Sequence, residues 1–90
     1  MSAIKSDADV KTRIREFLTQ NFLYMRPDFV LQDGDRLLEK GVIDSMGVME
    51  LVEFLETTYQ VTPADSEVTE ENFGSVSAIA RFVMSKNPRT

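Results

Sequence analysis

Apolar residues recur along the chain with helical spacing. Val10, Ile14, Phe17, Leu18, Phe22 and Met25 follow one another at offsets of four, seven, eight, twelve and fifteen, which is one face of an α-helix. Ser6 stands before this stripe as an N-cap, with Asp7 and Asp9 in the first turn, where negative charge is favoured. Pro27 is the expected stop. A second stripe, Val48, Leu51, Val52, Leu55 and Tyr59, predicts a helix that begins after Asp44 and runs to about Thr58. At 100° per residue its far side carries Met46, Glu50, Glu53 and Thr57, flanked by Met49 and Glu56. Val61-Thr62-Pro63 then reads as an extended turn. A short helical turn over 69–73 is capped by Thr69, has Glu70 and Glu71 in its first turn, and ends at Gly74. Ser75 caps a last helix whose buried stripe is Val76, Ile79, Ala80 and Val83, and which Asn87-Pro88 stops.

Between the first two helices lies a long connection, residues 26–43, with turn signals at Asp33-Gly34-Asp35 and at Gly41. Its apolar residues Phe29, Val30, Leu31, Leu37, Leu38, Val42 and Ile43 are expected to pin it to the core, so it reads as ordered. A loop of this length inside a compact domain is more often functional than decorative. The expected architecture is all-α: a small four-helix bundle with three long helices and one short, and a long loop between the first two. Residues 1–5 and 87–90 read as loose ends around one domain over 6–86. There is no repeat and no low-complexity tract.

Composition narrows the function. Ninety residues at 42% hydrophobic build one modest core, and 28% charged residues with few Gly or Pro do not read as disorder. The chain has no Cys, hence no disulfide framework and no thiolate metal site. It also has no His, the commonest general base and metal ligand. A formal charge of −5 argues against nucleic acid and for partners with basic docking surfaces. No apolar run reaches the length of a membrane span, and residues 1–5 lack the apolar core of a signal peptide. A cytoplasmic, soluble monomer is the expectation. Asp33-Gly34-Asp35 does not have the spacing of a calcium-binding EF-hand loop and reads as turn chemistry. No metal site and no catalytic residue is assigned.

The candidate site is Asp44-Ser45-Met46, at the mouth of the second helix. Asp44 as N-cap satisfies free N–H groups of the first turn, which leaves Ser45 as the first helical residue with its hydroxyl toward solvent and the positive end of the helix dipole. A phosphodiester there sits in a favourable field, and Gly47 is expected to leave open space beside it. No base neighbours Ser45 in sequence, so chemistry on it must come from another enzyme. An Asp-Ser pair is by itself ordinary capping. Exposed Met46 and Met49 beside Glu50 and Glu53 add an adaptable, acidic docking surface.

Gly41-Val42-Ile43-Asp44-Ser45-Met46, the following Met49-Glu50-Leu51-Val52-Glu53-Phe54-Leu55-Glu56, Tyr59-Gln60-Val61 and Asn72-Phe73-Gly74-Ser75-Val76 together resemble the acyl carrier proteins, over about residues 10–83. The resemblance implies that Ser45 takes a 4′-phosphopantetheine arm from coenzyme A, attached by a separate Mg²⁺-dependent phosphopantetheinyl transferase, with Asp44 helping to position that metal and enzyme. The arm's thiol then carries an acyl or aminoacyl group as a thioester. Met46, Met49, Glu50, Glu53 and Glu56 are implied as the face read by partners: the transferase, an acyl- or aminoacyl-activating ligase, and downstream acyl-transfer enzymes. Asp-Ser-Met-Gly in place of the Asp-Ser-Leu-Asp of fatty-acid synthesis is similar to stand-alone carriers of specialised or amino-acid activation. The competing reading is a helical interaction module that is never modified and uses only the Met/Glu face of helix two.

Overall fold

In a computed structural model the residues described are 7–26 and 28–86. The expected cap at Ser6, the stops at Pro27 and at Asn87-Pro88, and the loose ends 1–5 and 87–90 lie outside them. The described residues form α1 (Asp7–Asn21), α2 (Ser45–Tyr59), a 3-10 turn (Asp65–Glu67), the four-residue α3 (Glu70–Phe73) and α4 (Val76–Lys86). The all-α, four-helix architecture is as the periodicity predicts.

The most enclosed of these helices is α4. Val76, Ile79, Ala80 and Val83 are fully covered, with Ala78 and Phe82 buried beside them. Against it pack Val10, Ile14 and Leu18 of α1 and Phe73 of α3. Leu51, Val52, Leu55 and Tyr59 of α2 join the same cluster. Apart from Met25, each stripe read from the sequence lies inside this cluster or at its edge. Val48 and Phe22 are half-buried at the edge.

The first helix departs from expectation at its end. It stops at Asn21, not at Pro27, and Met25 is 76% exposed. Asn21 turns its amide back onto the carbonyl of Phe17 at 2.8 Å, and the N–H groups of Phe22 and Leu23 both converge on the carbonyl of Leu18. The Phe22 bond is still helical, but the Leu23 N–H reaches back five residues to Leu18 and not four to Thr19, as a continuing helix would require, so the regular ladder ends here. The consecutive apolar residues Phe22, Leu23, Tyr24 and Met25 cannot share one helical face. The chain turns instead, burying Leu23 and leaving Tyr24 and Met25 outside.

The connection, now residues 22–44, is held as predicted, but by fewer anchors. Leu31, Leu37, Val42 and Ile43 are buried and Phe29 is half-buried, whereas Val30 and Leu38 face solvent. Polar bonds complete the hold. Arg15 donates to the carbonyl of Leu31 and pairs with the carboxylate of Asp33, which Lys11 also approaches at 3.8 Å. The Asp33 carbonyl accepts from the N–H of Ser77 in α4. Asp35 accepts from the N–H of Gln32 at 2.9 Å, so these two acids serve the turn. Gly41 has φ +73, a conformation that favours glycine, and its carbonyl accepts from Arg26.

The segment from Ala64 to Ser75 shows what Asn72-Phe73-Gly74-Ser75 does. Thr69 caps α3 through the N–H of Asn72, while the Asn72 side chain donates to the carbonyl of Glu67. Phe73 fills the core, and the Gly74 carbonyl accepts from the N–H of Leu37 in the long loop. Ser75 caps α4 by accepting from Ala78 N at 3.1 Å, as expected. Gly74 ends α3 without entering the left-handed region, at φ −78; a side chain there would strike the carbonyl of Glu70.

The 3-10 turn escapes a reading from periodicity because distant groups hold it. Glu67 accepts from the N–H of Ala64 and pairs with Lys86 of α4 at 2.5 Å. The hydrogen bond from Lys86, helped by that from Ala64, holds the Glu67 carboxyl below the ordinary 4.5. A carboxyl lowered in the folded state adds stability that is complete above its unfolded value and is lost as pH falls through the folded one. The Glu67→Gln protein should therefore lose the part of the acid-side fall in melting temperature that belongs to this group. Thermal melts of both proteins from neutral pH to well below 4.5 read this directly; parallel curves would show that the Lys86 contact has no net effect.

Candidate functional site

The site is built at the start of α2. Asp44 has extended backbone, φ −110 and ψ −175, and its Oδ1 accepts from the N–H of Gly47 at 2.8 Å. That is the side-chain cap read from the sequence. Ser45 follows as the first helical residue. It is exposed, and its hydroxyl makes no hydrogen bond among the described residues. Upstream, Val42 and Ile43 are buried and bond back to the carbonyl of Leu37, so the approach to the serine is fixed by the core.

The start of α2, like that of α4, has no acid in its first turn. The first turns of α1 and α3 carry acids, Asp7 with Asp9 and Glu70 with Glu71, whereas the first turn of α2 carries none. The Asp44 cap lies outside the helix and has one oxygen turned to Gly47. An anionic group on Ser45 would meet the dipole with no carboxylate inside the turn to oppose it, an effect of about 0.3–1 kcal/mol at an exposed site.

Gly47 is not the open space that the sequence suggested. It is buried, and a Cβ placed on it would stand 2.5 Å from Ile43 Cγ1 and 3.0 Å from the Phe22 ring. The missing side chain is used inward, where the first turn of α2 closes on the loop and on the end of α1. Overpacking should cost about 1–3 kcal/mol, of which about 1 kcal/mol is returned by the better helix propensity of alanine. The Gly47→Ala protein is therefore expected to be less stable by about 1 kcal/mol in a urea melt. Gly34→Ala, with nothing within 4 Å of its Cβ, is the near-neutral control.

The remaining site residues lie where the helical wheel puts them. Met46 and Met49 are 77% and 61% exposed, and Glu50, Glu53 and Glu56 are exposed beside them. Together with Val52 they line a shallow groove along the outer side of α2. None of the three glutamates forms an ion pair among the described residues. All five therefore share one open face that starts at the serine.

One feature of the site was missed. Phe54 stacks on Phe17 with ring centroids 4.4 Å apart and planes 22° from parallel, which joins α2 to α1. An open groove of about 660 Å³ runs over this pair, lined by Phe17, Glu50, Glu53, Phe54, Thr57 and Thr58. The signal was a phenylalanine off the apolar stripe of α2, on the same turn as Glu50 and Glu53. Among the described residues no helix is long and apolar enough to cross a membrane.

No protein-family model matches the chain. Curated proteins do. It is 35% identical over 76 residues to a D-alanyl carrier protein of Streptococcus suis, covering 84% of this chain and 92% of that protein. A second strain of S. suis has one that is 34% identical over the same shares. The D-alanyl carrier protein of Streptococcus thermophilus is 29% identical over 75 residues, 83% of this chain and 91% of that protein. With its four helices, its pinned first loop and a relationship that spans almost the full length of those proteins, the chain belongs to the carrier proteins, as a stand-alone member of the acyl carrier type that serves a specialised pathway and not core fatty-acid synthesis.

Proposed function

We propose that Ser45 is the attachment point of a 4′-phosphopantetheine arm and that the cargo is an amino acid, D-alanine, held as a thioester. The observation that carries the first part is Ser45 itself: exposed, unbonded, and first in a helix whose opening turn is free of acids. These residues fit the group. The hydroxyl supplies the ester oxygen, the N-terminus of α2 favours the phosphodiester charge, and the Asp44 carboxylate lies next to the serine in sequence, within reach of a transferase's metal. The arm, once attached, supplies the thiol that a chain without cysteine lacks.

As a class, carriers hold cargo and leave its chemistry to others. The partners inferred here are a phosphopantetheinyl transferase, an amino-acid-activating ligase and an acceptor enzyme that takes the aminoacyl group on. Met46, Met49, Glu50, Glu53 and Glu56 are the face offered to them, which suits enzymes with an apolar pocket rimmed by Lys or Arg. What supports this cargo is that the similar proteins of S. suis and S. thermophilus are D-alanyl carrier proteins.

The test is loading. The modified protein and ATP are incubated in parallel with a D-alanine-activating ligase and with a fatty-acyl-activating ligase, each with labelled amino and fatty acids, and label released by hydroxylamine is measured. D-alanine is expected to load in preference to L-alanine and to fatty acids. Preferential loading of a fatty acid by an acyl-activating ligase would overturn the cargo assignment while leaving the arm in place.

A further inference from the structure

We propose that the groove between α1 and α2 seats the cationic end of the protein's own aminoacyl cargo, with the ammonium group held by Glu50 and Glu53 over the stacked rings of Phe17 and Phe54. This rests on the arm being carried by Ser45.

Phe17 and Phe54 are half-buried, so part of the stacked pair faces the open side. Glu50 and Glu53 are exposed along the same groove and have no cationic partner among the described residues. Aromatic surface beside two free carboxylates suits an organic cation and penalises an anion. Thr57 and Thr58 add hydroxyl donors at the far end, suited to a carbonyl. The cargo proposed above is a cation of this kind, since the α-amine of an alanyl thioester is protonated through much of the neutral range.

Reach and tethering point the same way. Glu53 is eight residues beyond Ser45, about 12 Å along the helix axis. The arm has the backbone length of about five extended residues, roughly 17 Å. The arm is therefore long enough to bring the cargo amine to Glu50 and Glu53. A tethered ligand meets its site at an effective concentration in the millimolar range, so a contact too weak to bind free D-alanine still populates the seat. Glu50 and Glu53 also line the outer groove offered to partners. A basic partner that takes them would free the amine as it docks.

The experiment compares two stable amide analogues of the loaded arm on otherwise identical protein, one alanyl and one propionyl, which differ by the ammonium group. Attachment to Ser45 is first verified by mass. The readout is the ¹³C shifts of the Phe17 and Phe54 rings and of the Thr57 and Thr58 methyls. A cation–π contact at an exposed site corresponds to an occupancy about two- to fivefold higher, so the alanyl form should move these signals further than the propionyl form by a similar factor. The Glu50→Gln/Glu53→Gln protein should bring the two forms together. Equal shifts in the two wild-type forms, or changes confined to residues 44–49, would overturn the proposal. Failure to attach any arm to the wild-type protein would instead overturn the assignment of Ser45, so the two failures are distinct.

Discussion

Replacement of Ser45 by alanine is expected to abolish modification altogether while leaving the fold untouched. The serine is exposed, and its hydroxyl bonds nothing among the described residues, so the substitution removes no packing and no hydrogen bond. The cap that starts α2 comes from Asp44, not from Ser45. Alanine is also the better helix former at such a position. Stability should change by no more than about 0.5 kcal/mol, the range of ordinary surface substitutions. Activity should fall to nothing, because no other oxygen occupies that place on the helix. The pair of readings, an unchanged circular dichroism melt and no mass gained with coenzyme A and a transferase, separates the carrier from an interaction module. A module that works through Met46 and Met49 would keep its function in the Ser45→Ala protein.

Removal of the Leu37 side chain is expected to have the opposite profile. Leu37 sits in the long loop, yet it is fully buried. Its N–H donates to the carbonyl of Gly74, and its carbonyl accepts from Val42 and Ile43 immediately before the capping aspartate. The residue therefore couples three parts of the molecule: the loop, the α3–α4 junction and the entry to α2. Leu37→Ala should cost about 2–5 kcal/mol, by loss of transfer energy and by the cavity left behind. Domains of this kind are stable by about 5–15 kcal/mol in total, so the loss takes a large share. Chemical denaturation should show a lower midpoint, and modification should slow as the approach to Ser45 loosens. A loss below about 1 kcal/mol would mean that the loop collapses around the gap and is less tightly fixed than its contacts imply.

Much of this molecule is legible in its sequence because its signals are local. The stripes of α1, α2 and α4 are periodic, and Asp44, Thr69 and Ser75 are capping residues whose bonds form where the sequence puts them. The exposure of Ser45 follows from the same logic, since a first helical residue after a side-chain cap faces outward. The end of α1 was misplaced because Phe22, Leu23, Tyr24 and Met25 offer two continuations, and Leu23 wins through core contacts that periodicity does not contain. Val30 and Leu38 were assigned to the core on hydrophobicity alone, yet they face solvent while their neighbours Leu31 and Leu37 take the interior. Gly47 shows the limit most clearly. Its missing side chain suggested room for an attached group, but its purpose depends on Ile43 and on Phe22, the latter twenty-five residues away, closing on it. The groove over Phe17 and Phe54 is hidden for the same reason, since it belongs to two helices and to neither alone.

The most direct test of the account is a peptide-resolved mass measurement on the wild-type protein after incubation with coenzyme A and a broad-specificity phosphopantetheinyl transferase. The expected result is a single added phosphopantetheinyl group, confined to the peptide that contains Ser45. No added mass, or the same mass on a different serine, would contradict it.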